Sequence, residues 1–343
     1  MNLKHAQLTA AAAKGLLTAE QAEQLWQFLS EQSLDTPGFN FTHILYYLGG
    51  MIAIGAMSLF MTLGWESFGG WGIFFIALAY AGAGLKLADY FLHRKQLLIP
   101  AGIVAVFVVV LTPLAVYGLQ QGLGWWAEGH AYRDYHVFID WRWLMMELAT
   151  LAVGAVLLWR YRLPFLVMPV AVTLWYMSMD LAPFLFDAEV GWEARKQVSL
   201  WFGLLMVLLA FWVDIRARFE KDFAFWLYLF GVLAFWGGLS LMNSDSELGR
   251  FMYLCINVAL IVMGAVLSRR VFAVFGGLGI ASYLGYLAYR VFSDSLLFPF
   301  VLTVIGLAII YLGILWQRHE AKLSAGLRAS LPGALRELIE QRH

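Results

Sequence analysis

Apolar stretches about twenty residues long follow one another almost without pause from His43 to Trp316. A bilayer's hydrocarbon is about 30 Å thick and an α-helix rises about 1.5 Å per residue, so such stretches match the length of membrane-spanning helices. Ten qualify, at about 43–63, 71–91, 97–118, 142–159, 163–183, 197–213, 223–242, 250–268, 271–290 and 296–316. The fifth contains Pro164, Pro169 and Pro183 and is expected to be bent, while the sixth reads as short. Membrane helices tolerate proline where neighbours resatisfy the freed carbonyls.

Composition points the same way. Of 343 residues, 62% are hydrophobic and 13% charged, against about 25% charged in an ordinary soluble domain. The fold expected is all-α and polytopic: a helix pair over 1–40, a membrane domain over 41–317 and a helical tail over 318–343. The net charge of zero gives no basic field for nucleic acid. The single cysteine, Cys255, cannot form an intrachain disulfide. Residues 1–42 lack the short apolar core of a secretory signal, so the first span should be an uncleaved anchor.

Lys and Arg set the expected orientation, because cytoplasmic loops retain them. Sixteen fall on one side: Lys4, Lys14, Arg94, Lys95, Arg160, Arg162, Arg216, Arg218, Lys221, Arg269, Arg270, Arg318, Lys322, Arg328, Arg336 and Arg342. The opposite segments hold six, Arg133, Arg142, Arg195, Lys196, Arg250 and Arg290. Both termini are therefore expected in the cytoplasm, and the chain in the inner (plasma) membrane.

In the N-terminal tail, Gly15 fits the end of one helix. Thr18 with Gln21 forms a capping box that opens a second. Ala22, Leu25, Trp26 and Leu29 then share a face. In the C-terminal tail, Ser330 and Pro332 open a helix with Leu331, Leu335 and Leu338 on one face. Either face suits the membrane surface or a protein partner.

A faint internal repeat runs through the spans. Gly82-Ala83-Gly84-Leu85, Gly154-Ala155-Val156-Leu157 and Gly264-Ala265-Val266-Leu267 each precede a basic loop. Small residues let helix backbones approach, as along Ala77, Ala81, Gly84 and Ala88. Spans one to three also resemble seven to nine, which would make a parallel repeat such as some transporter halves carry.

The common catalytic signatures are missing. There is no G-x-x-x-x-G-K-[ST], H-E-x-x-H, G-x-S-x-G or S-x-x-K, and one cysteine cannot make C-x-x-C. No cofactor is indicated. Gly276-Gly277-Leu278-Gly279 lies inside a span and reads as helix packing. The most polar outer stretch, residues 120–142, gathers Glu128, His130, Asp134, His136 and Asp140 among aromatic residues. These are ligand types that zinc accepts, but their spacing matches no known site. Trp and Tyr also gather at membrane interfaces because they are amphipathic. Whether the loop binds metal stays open.

Ionisable and strongly polar groups inside spans are costly and therefore informative. Lys86 and Asp89 can pair one turn apart near the end of span two, and Asn257 should hydrogen-bond a neighbouring helix. Glu147 lies 12 residues from Trp159, or about 18 Å at helical rise. Asp180 falls toward the far end of span five. Exposing a carboxylate to lipid near the bilayer centre costs at least about 2.5–3.5 kcal/mol. Both should therefore face the bundle.

The helix pair containing Gly15-Leu16-Leu17-Thr18-Ala19-Glu20-Gln21-Ala22-Glu23, the opening Leu48-Gly49-Gly50 of span one and the closing Trp65-Glu66 together carry a resemblance. Over about residues 10–90 the chain resembles the bacterial membrane proteins grouped as domain of unknown function 2157. The resemblance implies a prokaryotic inner-membrane protein and carries no catalytic residue.

Three functions fit these features. A small-solute transporter, proton-coupled through a buried acid, accounts for the spans, the repeat and the buried acids. A sensor or assembly component would work through the tails. An enzyme on a lipid-linked substrate would need a polar catalytic cluster that the spans lack.

Overall fold

A computed structural model describes residues 5–33, 41–126, 141–185, 192–216, 222–242 and 246–292, with 297, 299–308, 310, 311 and 314 beyond them. Every described element is a helix. The two short ones come first, α1 (His5–Ala13) and α2 (Ala19–Ser33). Gly15 closes α1 in the left-handed region (φ 71°). The capping box forms as read: Gln21 N donates to Thr18 Oγ1 at 3.1 Å and Thr18 N to Gln21 Oε1 at 3.0 Å. Leu8 and Ala22 are buried.

The chain divides into two compact units, Met1–Pro169 and Val170–His343. In the first, α3 (Phe41–Asp89) is broken at Gly69 (φ 59°, ψ 178°), a conformation essentially confined to glycine. The break is a reversal. A Cβ on Gly84 would lie 2.7 Å from Val108 Cγ2, and one on Gly50 would collide with Ile103. Residues 50 and 84 therefore meet the same stretch of α4 (Leu98–Gly122), whereas a straight helix would hold them about 51 Å apart. A π-helical turn, Tyr90–Arg94, continues from Asp89 toward α4.

α4 is the enclosed centre of this unit, with 56% of its span buried. Ala88, Ala101, Ala105, Val109 and Leu166 pack with no more than traces of exposure. The seam with the returning arm of α3 is made of backbone. A Cβ on Gly118 would lie 2.8 Å from Phe74 N and 2.9 Å from Gly70 O. α5 (Trp141–Tyr161) follows, burying Trp143, Met146, Glu147, Thr150, Gly154, Leu157 and Tyr161 at steps of three and four, the stripe of a helix with one face inward. A 3-10 turn, Pro164–Leu166, leads into α6 (Val167–Leu185), which spans the division between the units.

In the second unit, α7 (Trp192–Arg216) and α8 (Ala224–Leu241) form a hairpin. Its seam repeats the glycine solution: a Cβ on Gly238 would lie 2.7 Å from both Leu200 N and Lys196 O. The buried stripe of α7 is Lys196, Ser199, Gly203, Met206, Ala210 and Asp214, apolar in the middle and charged at both ends. α9 (Glu247–Leu267) and α10 (Arg270–Phe292) are joined by Ser268 in the left-handed region (φ 53°) and Arg269. Tyr228 and Phe272 meet edge-on in the core.

Seven described helices are long and apolar enough to cross a membrane: Phe68–Arg94, α4, α5, α7, α8, α9 and α10. The chain is a multi-pass helical membrane protein, but the count of ten is not reached. Phe41–Met57 and Pro299–Ala308 are shorter apolar helices. At the fifth expected span, Pro164 diverts the first turn into a 3-10 segment, and Asp180 lies within α6. The sixth expected span is not short, since α7 runs 25 residues. Large apolar side chains such as Met51, Phe75, Val156, Trp201, Leu208 and Val274 are exposed, as lipid-facing surfaces are. The tail over 318–343 lies outside the described residues.

Candidate functional site

Each unit has an end where its basic loops gather, here called its basic end. In the second unit this end holds the most developed polar cluster among the described residues. Asp214 stands in the last turn of α7, where the helix dipole disfavours a carboxylate. Asp222 stands just before α8, and its Oδ1 accepts from Phe225 N at 3.1 Å, a favourable place for a negative charge. Arg269, in the turn between α9 and α10, reaches both. Its Nη2 donates to Asp214 Oδ1 at 2.7 Å and to Asp222 Oδ1 at 3.0 Å. Its Nε donates to Asp214 Oδ2 at 3.3 Å, and its Nη1 donates to Asp222 Oδ2. Two forked pairs thus use one guanidinium, the geometry that makes Arg–carboxylate contacts strong. The guanidinium also lies 5.3 Å from the Tyr228 ring centroid. Burial works against its charge, but the hydrogen bonds and charges of Asp222 and Asp214 outweigh it and push its pKa further up.

The first unit carries a counterpart. Asp89 ends α3 and Asp214 stands in the last turn of α7, while Arg160 stands in the last turn of α5 and Arg269 just beyond α9. Arg160 Nη2 lies 3.7 Å from Asp89 Oδ1, and His93 Nε2 lies 4.0 Å from the same oxygen. Neither is a hydrogen bond, and that buried oxygen has none. Arg162, two residues after Arg160, is in the left-handed region (φ 50°), whereas in the second unit the left-handed residue, Ser268, precedes Arg269. The expected pairing of Lys86 with Asp89 is therefore corrected. Lys86 is exposed rather than buried, and Asp89 faces Arg160 and His93 across the helix ends.

The recurrence has a different register from the sequence reading. What recurs is the hairpin, the returning arm of α3 with α4 and α7 with α8, so spans two and three answer spans six and seven. The third helices differ, since α5 packs on α4 whereas α9 packs on α10. The Gly154–Leu157 and Gly264–Leu267 stretches both lie just ahead of the arginine of their pair.

Glu147 is 9% exposed and lies on the inward stripe of α5, between Trp143 and Thr150. Thr150 Oγ1 donates to Met146 O at 2.7 Å, so its hydroxyl is tied to its own helix. Asp180 is half-buried on α6. On the same helix, Trp175 Nε1 donates to Ser199 Oγ of α7 at 2.9 Å, and that hydroxyl donates to Ala234 O of α8. Asn257 is fully buried, but its Nδ2 donates to Tyr253 O one turn back at 2.8 Å. The bond to a neighbouring helix is thus corrected to one within α9. Its side chain instead fills the space that a Cβ on Gly279 of α10 would take, and Gly276 also abuts α9, so this glycine run is a packing seam.

At the other end of the first unit, the base of the polar loop is clasped. Gln120 Nε2 donates to Arg142 O at 3.0 Å, and Gln120 Oε1 accepts from Trp126 Nε1 at 3.2 Å. Arg142 Nη1 donates to Trp125 O at 2.6 Å, and its guanidinium stacks 4.6 Å from the Trp126 ring. The loop ligands themselves, Glu128, His130, Asp134, His136 and Asp140, lie outside the described residues. Among the described residues no group of three or more His, Cys, Asp or Glu is placed to hold a metal.

The Asp214–Asp222–Arg269 cluster was not singled out from sequence, where Arg269 served only to mark orientation. The available signal was two aspartates flanking the 215–221 basic loop, which need cationic partners at a bundle end. No family model, curated protein or solved structure matches the chain.

Proposed function

We propose that this protein is a proton-coupled small-solute permease of the inner membrane, with both termini cytoplasmic and the basic ends facing inward. The observation that carries the reading is the recurrence of a glycine-seamed hairpin, the returning arm of α3 with α4 and α7 with α8, each with an aspartate near the end of its first helix facing an arginine at the basic end. Parallel repeats of this kind are one of the ways transporter folds are built. Glu147 supports the proton coupling. Its carboxyl is enclosed on the inward face of α5, about 18 Å along the helix from the basic end, and can be neutral at rest and exchange a proton when water reaches it.

The test uses proteoliposomes holding a pH-sensitive dye, challenged with a panel of small cationic, anionic and neutral solutes. A solute-dependent pH change in the parent that disappears in Glu147→Gln supports the reading. An unchanged signal in the variant removes Glu147 from the mechanism, and silence across the panel argues against a permease. A periplasm-dependent reporter fused after His343 should be silent, as the proposed topology requires.

A second reading has an observation of its own. The N-terminal hairpin closes over its own small core through Leu8 and Ala22, as a docking module for a sensor or assembly component would. Its shared features with the domain of unknown function 2157 proteins fit either reading. Deleting residues 1–38 separates them: a permease keeps transport, and a tail-dependent sensor loses its output.

A further inference from the structure

The two Asp–Arg pairs hold similar places, and each guanidinium lies over a tyrosine ring, Tyr161 at 5.5 Å and Tyr228 at 5.3 Å, yet their burial and hydrogen bonding differ in one direction. In the second unit Arg269 and Asp214 are 10% and 6% exposed, and Arg269 makes four hydrogen bonds to two carboxylates. In the first unit Arg160 and Asp89 are 59% and 38% exposed, the approach is 3.7 Å, and the buried Oδ1 of Asp89 accepts no hydrogen bond. The backbone follows the same division. Asp89 runs directly into a π-helical turn, Tyr90–Arg94, a wide turn that is frequent at functional sites. Gln96 (φ 54°) and Arg162 (φ 50°), in the two connections at this basic end, both occupy the left-handed region, which is strained for side chains other than glycine's. The second unit's basic end has one such residue among those described, Ser268.

We infer that Asp89, Arg160 and His93 form a working latch that opens and closes the basic end of the first unit, while Asp214, Arg269 and Asp222 are a fixed anchor. Closed, the latch ties the end of α3 to the end of α5. Opening separates these ends, exchanging a poorly made ion pair for hydration of both groups and letting the π turn and the left-handed connections relax. The cost is small, because both partners already meet water. Opening the anchor would strip a buried guanidinium of two forked pairs, so that end stays shut. The inference goes beyond the transport reading and holds whether the opening passes a solute or relays a signal.

The experiment measures distances by spin labels in the full chain, in lipid nanodiscs, with the exposed Cys255 replaced by serine. One pair spans the latch, at the exposed positions Tyr90→Cys and Trp159→Cys, and one spans the anchor, at Trp212→Cys and Val274→Cys. The latch pair should give two distance populations and the anchor pair one narrow population. Asp89→Asn should shift the latch ratio toward the longer distance by about twofold or more, the scale expected for losing an exposed ion pair. The exchanged pair Asp89→Arg with Arg160→Asp should restore the parent ratio, which a purely steric role for Asp89 would not produce. A single latch distance that is identical in parent and Asp89→Asn overturns the inference. So does an anchor distribution as broad as the latch's.

Discussion

Asp89 and Asp214 stand near the ends of the two hairpins' first helices and each faces an arginine, yet one is half in water and the other sealed. The difference shows how burial and partner number scale together in one chain. A guanidinium at the water's edge needs little from protein, and Arg160 takes one distant carboxylate. Both guanidinia lie over a tyrosine ring, but that of Arg269 is buried and has lost its water, and it takes two carboxylates in forked geometry. Removing one side of a buried pair is expensive because the other is left charged and dry.

The largest effect is expected at Asp214→Asn. We expect a loss of about 3 kcal/mol, the lower part of the range for orphaning a buried charge, because Asp222 still holds one fork. Unfolding in mixed micelles would measure it, and a loss no greater than that of Asp89→Asn would end the distinction. The raised pKa of Arg269 adds a sign. A cation whose folded pKa lies above its unfolded value keeps its full stabilisation below the unfolded one, which for arginine is above about 12. Arg269 should therefore contribute no pH dependence to stability between pH 6 and 9. A triple variant that leaves no stranded carboxylate, Asp214→Asn with Asp222→Asn and Arg269→Met, should follow the parent's melting midpoint across that interval apart from a constant offset.

Intermediate effects should come from the glycine seams, where the units behave alike. Gly118→Ala places a Cβ 2.8 Å from Phe74 N, and Gly203→Ala would press on the backbone of Phe235. Each should cost about 1–3 kcal/mol, the usual range for overpacking. Gly237→Ala meets nothing within 4 Å and should be near neutral in the same assay. The smallest effect is expected at Arg160→Ala, whose melting midpoint should stay within scan error of the parent while the latch distances change. A substantial drop there would make the first pair structural.

Helical character and most helix positions could be read from the sequence, because lipid demands long apolar runs whatever the tertiary fold. The inward stripe of α5 followed from the same logic, since Glu147 could not face hydrocarbon cheaply. Pairing across helix ends was less accessible. Lys86 is nearer to Asp89 in sequence than Arg160 is, but on the helix it points into the surroundings while α5 brings Arg160 alongside. Asn257 was read by its polarity, yet the shape of a glycine-notched neighbour decided its place. Motif similarity suggested that spans one to three match spans seven to nine, whereas the recurrence that packing displays is the glycine-seamed hairpin of spans two and three and of six and seven.

The clasp of Gln120, Trp126 and Arg142 has a consequence for how this protein can vary. It pins together the two ends of the segment 127–140, so the distance that segment must bridge is set by α4 and α5 and not by its own length. Closing a flexible segment between fixed points costs only about 0.6 kcal/mol more for each doubling of its length. Insertions, deletions or a grafted binding sequence between Trp126 and Trp141 should therefore leave the helices beneath undisturbed. On that side of the membrane the molecule has an exchangeable display position, with its mounting kept separate from what is mounted.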